Sequence, residues 1–524
     1  MSPSLRESAG RLALLGVLLL PGAGAASPAD TAPPPAAPAA PDREAALFGT
    51  APAAPAPAAP DREAALFGTA PAAPAPAAPD REAALFGTAP AAAGAPPGEV
   101  ATVPPDAPSA EVALEDPLRI GGGLYWRAQT TAPEDVPPDE WLFTAPALLD
   151  LYLDGRPNSR LRAYTLARMS YDPTEVSWWS RLLASSETTS ESPQLPTTPA
   201  DPRWTLDQLW FNLNLHQRAF VTVGRQHVKW GTARFWNPTD FLHDVYKDPL
   251  ARYDERVGKT MVKVQLPWEA QSTNFYGIVL LEGPATVEQL GQLGGAARIE
   301  TVQAGAELGL DLLVQRERGL LVGVDLSTPL GPLDGYLEAA LRDRGAPRWE
   351  TVQGPAEEPG WNVLATVGLE WSHKYNDEDS FLVGAEYFFN QLGYDDATLY
   401  PWLLAQGRFT PFYLGRHYAG VYGLLVAPGS WNDTTFLLAT LGNLSDRSFL
   451  TRLDASVQIL TQLTLEGFAA VHYGEAGGEL NFSLDRDELR GLLDPGLRGL
   501  LDVVPDSRFA RPVFELGCAL RVKI

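Results

Sequence analysis

Apolar and polar residues alternate one by one along much of the chain beyond Leu118. In the run that closes the chain, one face is wholly apolar and the other is polar or small. The apolar face comprises Phe514, Leu516, Cys518, Leu520, Val522 and Ile524. Successive side chains of an extended backbone point to opposite sides, so each such run predicts a β-strand with one apolar face.

Three further runs show the same alternation of apolar and polar residues: VLATVGLEWS, QLWFNLNL and SFLTRLDASVQIL. We count about 17 such strands, each about ten residues long, whereas barrels of single bacterial chains have even strand numbers. A soluble sandwich is the alternative, but a barrel leaves no edge strand exposed. The pattern therefore predicts an all-β, transmembrane antiparallel β-barrel of 16–18 strands. The strand count is doubtful in 282–303 and 394–413. Following the alternation of short turns and long loops forward from Leu118 and backward from Ile524 assigns the connections near the middle of the barrel to opposite ends.

The first 26 residues have the composition of a secretory signal peptide. Arg6 and Arg11 precede an apolar run over 12–20, and small residues follow it. About nine apolar residues are too few for a membrane-spanning helix, which needs about 20. No cysteine follows the run, which excludes lipid attachment at a lipoprotein-type site. We therefore predict a signal peptide at 1–26 and an exported mature chain.

Residues 27–115 are rich in Ala and Pro and contain the unit PDREAALFGTAP three times, starting at Pro41, Pro60 and Pro79. Proline at this density blocks helices and sheet ladders, so we predict a disordered, semi-extended linker before a barrel at 116–524. Two interpretations of the repeats stay open. They are a duplicated low-complexity spacer, or three weak docking motifs for a periplasmic partner that gain strength from multivalency.

Composition narrows the chemistry further. Cys518 is the only cysteine, so no intramolecular disulfide and no cysteine metal site is possible. The net charge of −24 argues against nucleic acid as a partner. His227 and His243 belong to no HExxH or GxSxG motif, so we predict no enzyme activity, no metal and no cofactor. A barrel hydrolase remains the third alternative.

The stretch GRQHVKWGTARFWNPTD, from Gly224 to Asp240, combines a strand end with a long loop. With EYFFNQLGY, GNLSDRS and the final strand, it resembles a loosely defined family of porin-like proteobacterial outer-membrane barrels, some of whose neighbours export exopolysaccharide. The resemblance covers the chain from about Leu118 onward. It implies an outer-membrane location, with membrane lipid and the barrel-insertion machinery as partners. The terminal Ile524 departs from the family, which usually ends in an aromatic residue.

We expect the long loop to fold into the lumen and narrow it, with Trp230, Asn237, Pro238 and Asp240 at the constriction. Polar loop backbone finds water or polar walls there instead of lipid. The predicted pore-lining residues are Arg160, Arg162 and Arg168 on one face of the third strand, Asp240 and Asp244 in the loop, and Lys259 and Lys263 on one face of the sixth strand. Opposed charges would set a field across the lumen that favours polar solutes.

These features predict a porin-like channel for diffusion or export of a polar solute, with the N-terminal linker in the periplasm. Two alternatives compete with it. In the first, the loop is only a plug or brace held by Asp–Arg pairs. In the second, the barrel is non-conducting and anchors envelope layers through the linker repeats.

If the repeats are docking sites, deleting 27–109 leaves barrel insertion intact but abolishes co-purification of the periplasmic partner. A chain whose three DREAALFG units are scrambled in place keeps linker length and composition and is expected to lose the partner equally. Crosslinking followed by affinity purification measures both. Failure of the deletion variant to insert would contradict the role of a simple tether.

Overall fold

The computed structural model describes residues 117–174, 201–251, 254–283, 289–345, 347–352, 360–376, 380–492, 507 and 509–524. The predicted signal peptide, the linker and its repeats lie outside these residues. The described residues form 19 β-segments in a single sheet, and each segment pairs with its neighbours in antiparallel register. None of the helices among the described residues is long and apolar enough to cross a membrane.

The elements follow one another along the chain with few interruptions. The strands are β1 (Leu118–Pro133), β2 (Leu142–Thr144), β3 (Ala147–Asn158), β4 (Leu161–Tyr171), β5 (Arg203–Leu215), β6 (Ala219–Gln226), β7 (Lys259–Trp268), β8 (Thr273–Leu280), β9 (Gly294–Gln303), β10 (Ala306–Gln315), β11 (Gly319–Leu330), β12 (Leu333–Arg342), β13 (Asn362–Lys374), β14 (Ser380–Asn390), β15 (His417–Val426), β16 (Thr434–Asn443), β17 (Ser448–Leu460), β18 (Leu463–Gly474) and β19 (Pro512–Lys523). Two short helices, α1 (Tyr400–Ala405) and α2 (Arg486–Leu492), lie in loops.

β2 and β3 are two parts of one barrel strand. Both pair with β1 in the same register, with Thr144 opposite Gln129 and Ala147 opposite Trp126. The break between them includes Pro146, which has no backbone N–H to donate to the ladder. The 19 segments therefore make 18 barrel strands.

The barrel closes where β1 pairs with β19, from Gly123 opposite Lys523 to Thr131 opposite Glu515. The other side of β1 pairs with β3, so β1 has no free edge. An even strand number brings the start of β1 and the end of β19 to the same end of the barrel. The prediction of a 16–18-stranded antiparallel barrel is confirmed at its upper bound.

Connection length explains the conflict in the sequence-based count. The links at the end that holds the long loops include two short ones, 316–318 between β10 and β11 and 444–447 between β16 and β17. The opposite end holds the seven-residue link 427–433. Of the two doubtful regions, 282–303 contains β9, whereas 394–413 contains α1 and no strand.

The outer surface of the barrel is apolar, as the alternation predicted. In β5 the exposed residues include Leu209, Phe211, Leu213 and Leu215, and in β13 they include Val367, Leu369 and Trp371. Both strands turn their intervening residues inward, and Gln208, Thr366 and Glu370 are buried there. An apolar band outside with polar groups inside is the arrangement of a membrane barrel.

The closed ladder predicts different gel mobility before and after boiling. Every barrel strand has two hydrogen-bonded neighbours, so detergent finds no edge at which to start unfolding. Unboiled protein is expected to keep its compact form and migrate apart from the boiled chain on electrophoresis in dodecyl sulfate. Identical migration, with folding verified beforehand by circular dichroism, would count against the closed barrel.

Candidate functional site

Loop 227–258, which links β6 to β7, lies inside the barrel. Its side chains Phe235, Trp236 and Phe241 are fully buried. Trp236 stacks on Phe388 of β14 with ring centroids 5.7 Å apart, and Phe235 meets the edge of Tyr422 of β15 at 5.2 Å. The loop therefore reaches across the lumen from β6 and packs against strands on the other side. This geometry agrees with the infolding expected from the sequence.

Glu338 of β12 holds the first part of the loop. Its Oε1 accepts hydrogen bonds from the backbone N–H groups of Thr232 at 2.5 Å and Ala233 at 2.6 Å, and its Oε2 accepts one from Thr239 Oγ1 at 2.8 Å. The Glu338 side chain is fully buried. A buried carboxylate is costly unless hydrogen bonds compensate it, and these loop donors supply that compensation.

Glu386 of β14 holds the next turn of the same loop. The N–H of Arg234 donates to Oε2 at 2.8 Å, and the N–H groups of Phe235 and Trp236 donate to Oε1 at 3.1 and 2.9 Å. Tyr336 OH adds a fourth donor at 2.8 Å. Three successive backbone N–H groups thus form a concave anion site around one carboxylate.

Glu370 of β13 completes the anchor through the Arg234 side chain. The guanidinium donates from both Nε, at 2.5 Å, and Nη2, at 2.8 Å, to the two carboxylate oxygens. Tyr422 OH also donates to this carboxylate. We call Glu338, Glu370 and Glu386 the glutamate anchor. It lies on three consecutive strands and fixes both the backbone and a charged side chain of the loop.

Two glycines of the stretch from Gly224 to Asp240 permit these close approaches. Gly224 has a φ of 124° and Gly231 a φ of 92°, both in the region that favours glycine. A Cβ atom on Gly231 would overlap the Glu338 carboxylate, and one on Gly224 would overlap the Leu209 carbonyl. The WG pair therefore has a structural reason: any side chain at Gly231 would displace the first residue of the glutamate anchor.

The predicted acidic residues of the loop are paired locally. Asp240 lies 2.9 Å from Arg256 Nη1 and 3.0 Å from His243 Nδ1. Burial alone raises the pKa of Asp240, but His243 and Arg256 outweigh it and hold the pKa well below its ordinary value. Asp244 forms an ion pair with Lys259. Of the two predicted acids, only Asp244 contacts a predicted base, Lys259. Asp240 pairs instead with residues of its own loop.

The predicted basic residues are dispersed. Arg160 lies exposed in the turn before β4 and so does not share a face with the strand residues. Arg162 pairs with Asp154 at 2.8 Å, and Arg168 pairs with Asp150 at 2.8 Å while donating to the Asp254 carbonyl at 3.0 Å. Among the described residues, Lys263 has no acidic partner.

The predicted constriction residues all lie in the infolded loop. Trp230 is buried, and its ring centroid lies 6.0 Å from the Arg298 guanidinium. Arg298 in turn pairs with Asp311 and Asp325. Asn237 Nδ2 donates to the Ala233 carbonyl at 2.8 Å, and the Pro238 carbonyl accepts from Arg342 at 3.3 Å. These side chains shape and fix the loop.

His227 and His243 stabilise the loop by contacts near its start and within it. His227 Nε2 lies 2.8 Å from Asp207 Oδ1, which also accepts the N–H of Gly258 at 3.1 Å. His227 stacks on His243 with ring centroids 5.7 Å apart. Asp207 therefore ties together the first and last residues of loop 227–258.

The side of the lumen away from the glutamate anchor is different. We call the inward side chains of β17, β18, β19, β1, β3 and β4 the open wall. The side chains of Arg162, Arg521 and Glu515 keep 22%, 21% and 28% of their surface exposed, against 0% for Glu338 and 3% for Glu370 as whole residues. Solvent therefore reaches parts of the open wall but not the anchor; Asp154, Arg168 and Glu466 on the same wall are buried.

Sequence reasoning missed the glutamate anchor. The expectation was that basic wall residues would oppose the acidic side chains of the loop. Instead, acidic residues of the wall accept hydrogen bonds from the backbone of the loop. The available signal was three glutamates at inward positions of consecutive, otherwise largely apolar strands.

Replacing Glu386 with Gln is expected to loosen the loop. The amide carries no charge and keeps one acceptor oxygen, so its NH2 group faces at least one of the three backbone N–H groups, and the loss is about 2 kcal/mol. Hydrogen exchange at residues 234–236 is then about 30-fold faster. Glu307→Gln, the same change at an exposed position of β10, serves as the control. Unchanged exchange in Glu386→Gln would contradict the anchor.

Comparisons with known proteins give a likeness of fold alone. No family model matches the chain, and no curated protein matches it. Among solved structures, the chain is similar to a five-substitution mutant of the porin of Rh. blastica at 10% identity and a TM-score of 0.37. It is also similar to a triple mutant of the Rhodopseudomonas blastica porin at 11% identity and a TM-score of 0.36. Each match covers 78% of this chain and 100% of the other.

Proposed function

We propose that the chain is a porin-like channel of the outer membrane through which small polar solutes diffuse. The observation that carries this proposal is the asymmetry of the lumen. Loop 227–258 fills the side next to the glutamate anchor, and the open wall opposite keeps partly exposed charged side chains. The pore thus runs off-centre, between the loop and the open wall.

The open wall suits hydrated solutes. Its charges occur in close pairs of opposite sign, such as Arg162 with Asp154 at 2.8 Å and Arg452 with Asp454 at 2.7 Å. Paired charges offer hydrogen-bond donors and acceptors without a large net field, so neither sign of solute is strongly excluded. Apolar solutes gain nothing on such a surface.

The apolar outer band and the connection lengths support the membrane placement. In bacterial outer-membrane barrels, short turns face the periplasm and longer loops face outward. On this basis we place the start of β1 and the end of β19 in the periplasm, with the linker and its repeats beside them. Membrane lipid and the barrel-insertion machinery are the partners that follow.

Replacing 232–248 with a short Gly-Ser link is expected to enlarge single-channel conductance in planar lipid bilayers. The loop's bulk no longer narrows the lumen, and water reaches Glu338, Glu370 and Glu386. Heat-dependent gel mobility verifies that the variant is folded.

The control replaces 475–477, in another loop at the same end, with Gly-Ser and is expected to conduct like the wild type. A folded wild-type protein without conductance would contradict the channel and favour the non-conducting anchor. Equal conductance of wild type and loop variant would place the conduction path away from loop 227–258.

A further inference from the structure

A cavity of about 210 Å³ lies at the end of the barrel that holds the long loops. Loop 227–258 contributes its floor, between residues 237 and 247. Arg318 from the link between β10 and β11, Arg342 at the end of β12, and Arg344 just after it line the side. The link 316–318 has only three residues, so β10 and β11 themselves add no long loop beside the cavity.

The cavity has an excess of positive charge. Its cationic lining residues are Lys247, Arg256, Arg318, Arg342 and Arg344. Its two carboxylates, Asp240 and Asp244, are already engaged: Asp240 by Arg256 at 2.9 Å, and Asp244 by Lys259, with Arg318 more distant at 3.5 Å. Arg342 and Arg344 form no ion pair within the part of the chain that the structure describes.

Arg342 and Arg344 bond only to neutral groups among the residues that the structure describes. Arg342 donates from Nη1 to Tyr246 OH at 2.7 Å and from Nη2 to the Pro238 carbonyl at 3.3 Å, so each of these nitrogens keeps a second N–H. Arg344 donates to the Arg316 carbonyl at 3.1 Å. A guanidinium presents five donors in a fixed fork that fits a carboxylate, so both retain donors for a ligand.

An aromatic surface adjoins these arginines. Tyr246 and Tyr413 stack with ring centroids 4.2 Å apart, and the Arg342 guanidinium lies 5.6 Å from the Tyr246 ring centroid. The phenol groups are held in place, since Tyr413 OH donates to the Lys247 carbonyl at 3.0 Å. A short carbon chain can pack on this rigid surface while its acid group meets the arginines.

We propose that this cavity binds a small organic acid, a mono- or dicarboxylate, before it enters the pore. The volume equals that of about seven waters, which limits the ligand to a few carbon atoms. Passage through a channel requires binding strong enough to favour entry and weak enough to allow release. The inference rests on the proposed channel function and names its solute class.

Calorimetric titration of the detergent-purified full chain with sodium succinate tests the site. We expect saturable binding to one site, weakened about tenfold or more in Arg342→Gln and in Arg344→Gln, because each loses a charged hydrogen bond. Arg344→Gln is the cleaner variant, since Arg344 is exposed and does not hold the loop. Arg408→Gln, the same charge change at an exposed position of the same end, is expected to bind like the wild type.

Acetate and inorganic phosphate form the comparison arms, with chloride as the ionic-strength control. Succinate binding no tighter than chloride binding, or equal loss in Arg408→Gln, would overturn the site. Tighter binding of phosphate than of succinate would overturn its assignment to organic acids. Conductance in potassium chloride, measured without carboxylate, separates the two proposals: a conducting barrel without succinate binding removes this inference alone, and a non-conducting barrel removes the channel.

Discussion

The capture of Glu338 and Glu386 by backbone N–H groups of loop 227–258 is the interaction on which the interior of the barrel depends. Each side of this contact needs the other. The loop has no regular secondary structure, so its buried N–H groups require acceptors from elsewhere. The two carboxylates are buried by the loop, so they require donors. Six backbone N–H groups and two carboxylates satisfy these needs together.

The packing around the glutamate anchor is fitted to the same loop. Gly323 of β11 faces Phe241, and Gly420 of β15 faces Phe235, so closely that a Cβ atom at either glycine would crowd the ring. The barrel wall thus has residues without side chains where the loop presents large aromatic rings. Inward side chains of the strands between them, such as Leu364 of β13 and Leu382 of β14, are apolar and buried. The anchor side of the lumen is thus a packed core, and the partly exposed charged side chains lie on the open wall.

Local patterns predicted the barrel but only part of its interior. Alternation identified the outward residues of β5 and β13, because lipid imposes a simple rule on one face of every strand. It did not fix where strands end, so Arg160 was assigned to β4 although it lies in the turn. It also gave no partner across the lumen. An inward glutamate such as Glu386 looks like any polar lumen residue until the closed barrel brings the loop beside it.

The same anchoring favours a channel of fixed shape over one gated by its loop. Moving the loop away from β12 and β14 breaks several charge-assisted hydrogen bonds at once and leaves aromatic side chains such as Trp236 without their partners. Each buried group left unsatisfied costs about 1–3 kcal/mol, and more when it is charged. Thermal motion rarely supplies the sum of these costs. The cavity beside Arg342 shares this loop as its floor, because the Pro238 carbonyl bonds directly to that arginine. In the proposed channel, one segment would therefore set both pore width and solute selection: the glutamate anchor holds its backbone, and its other side faces the arginines of the proposed binding cavity.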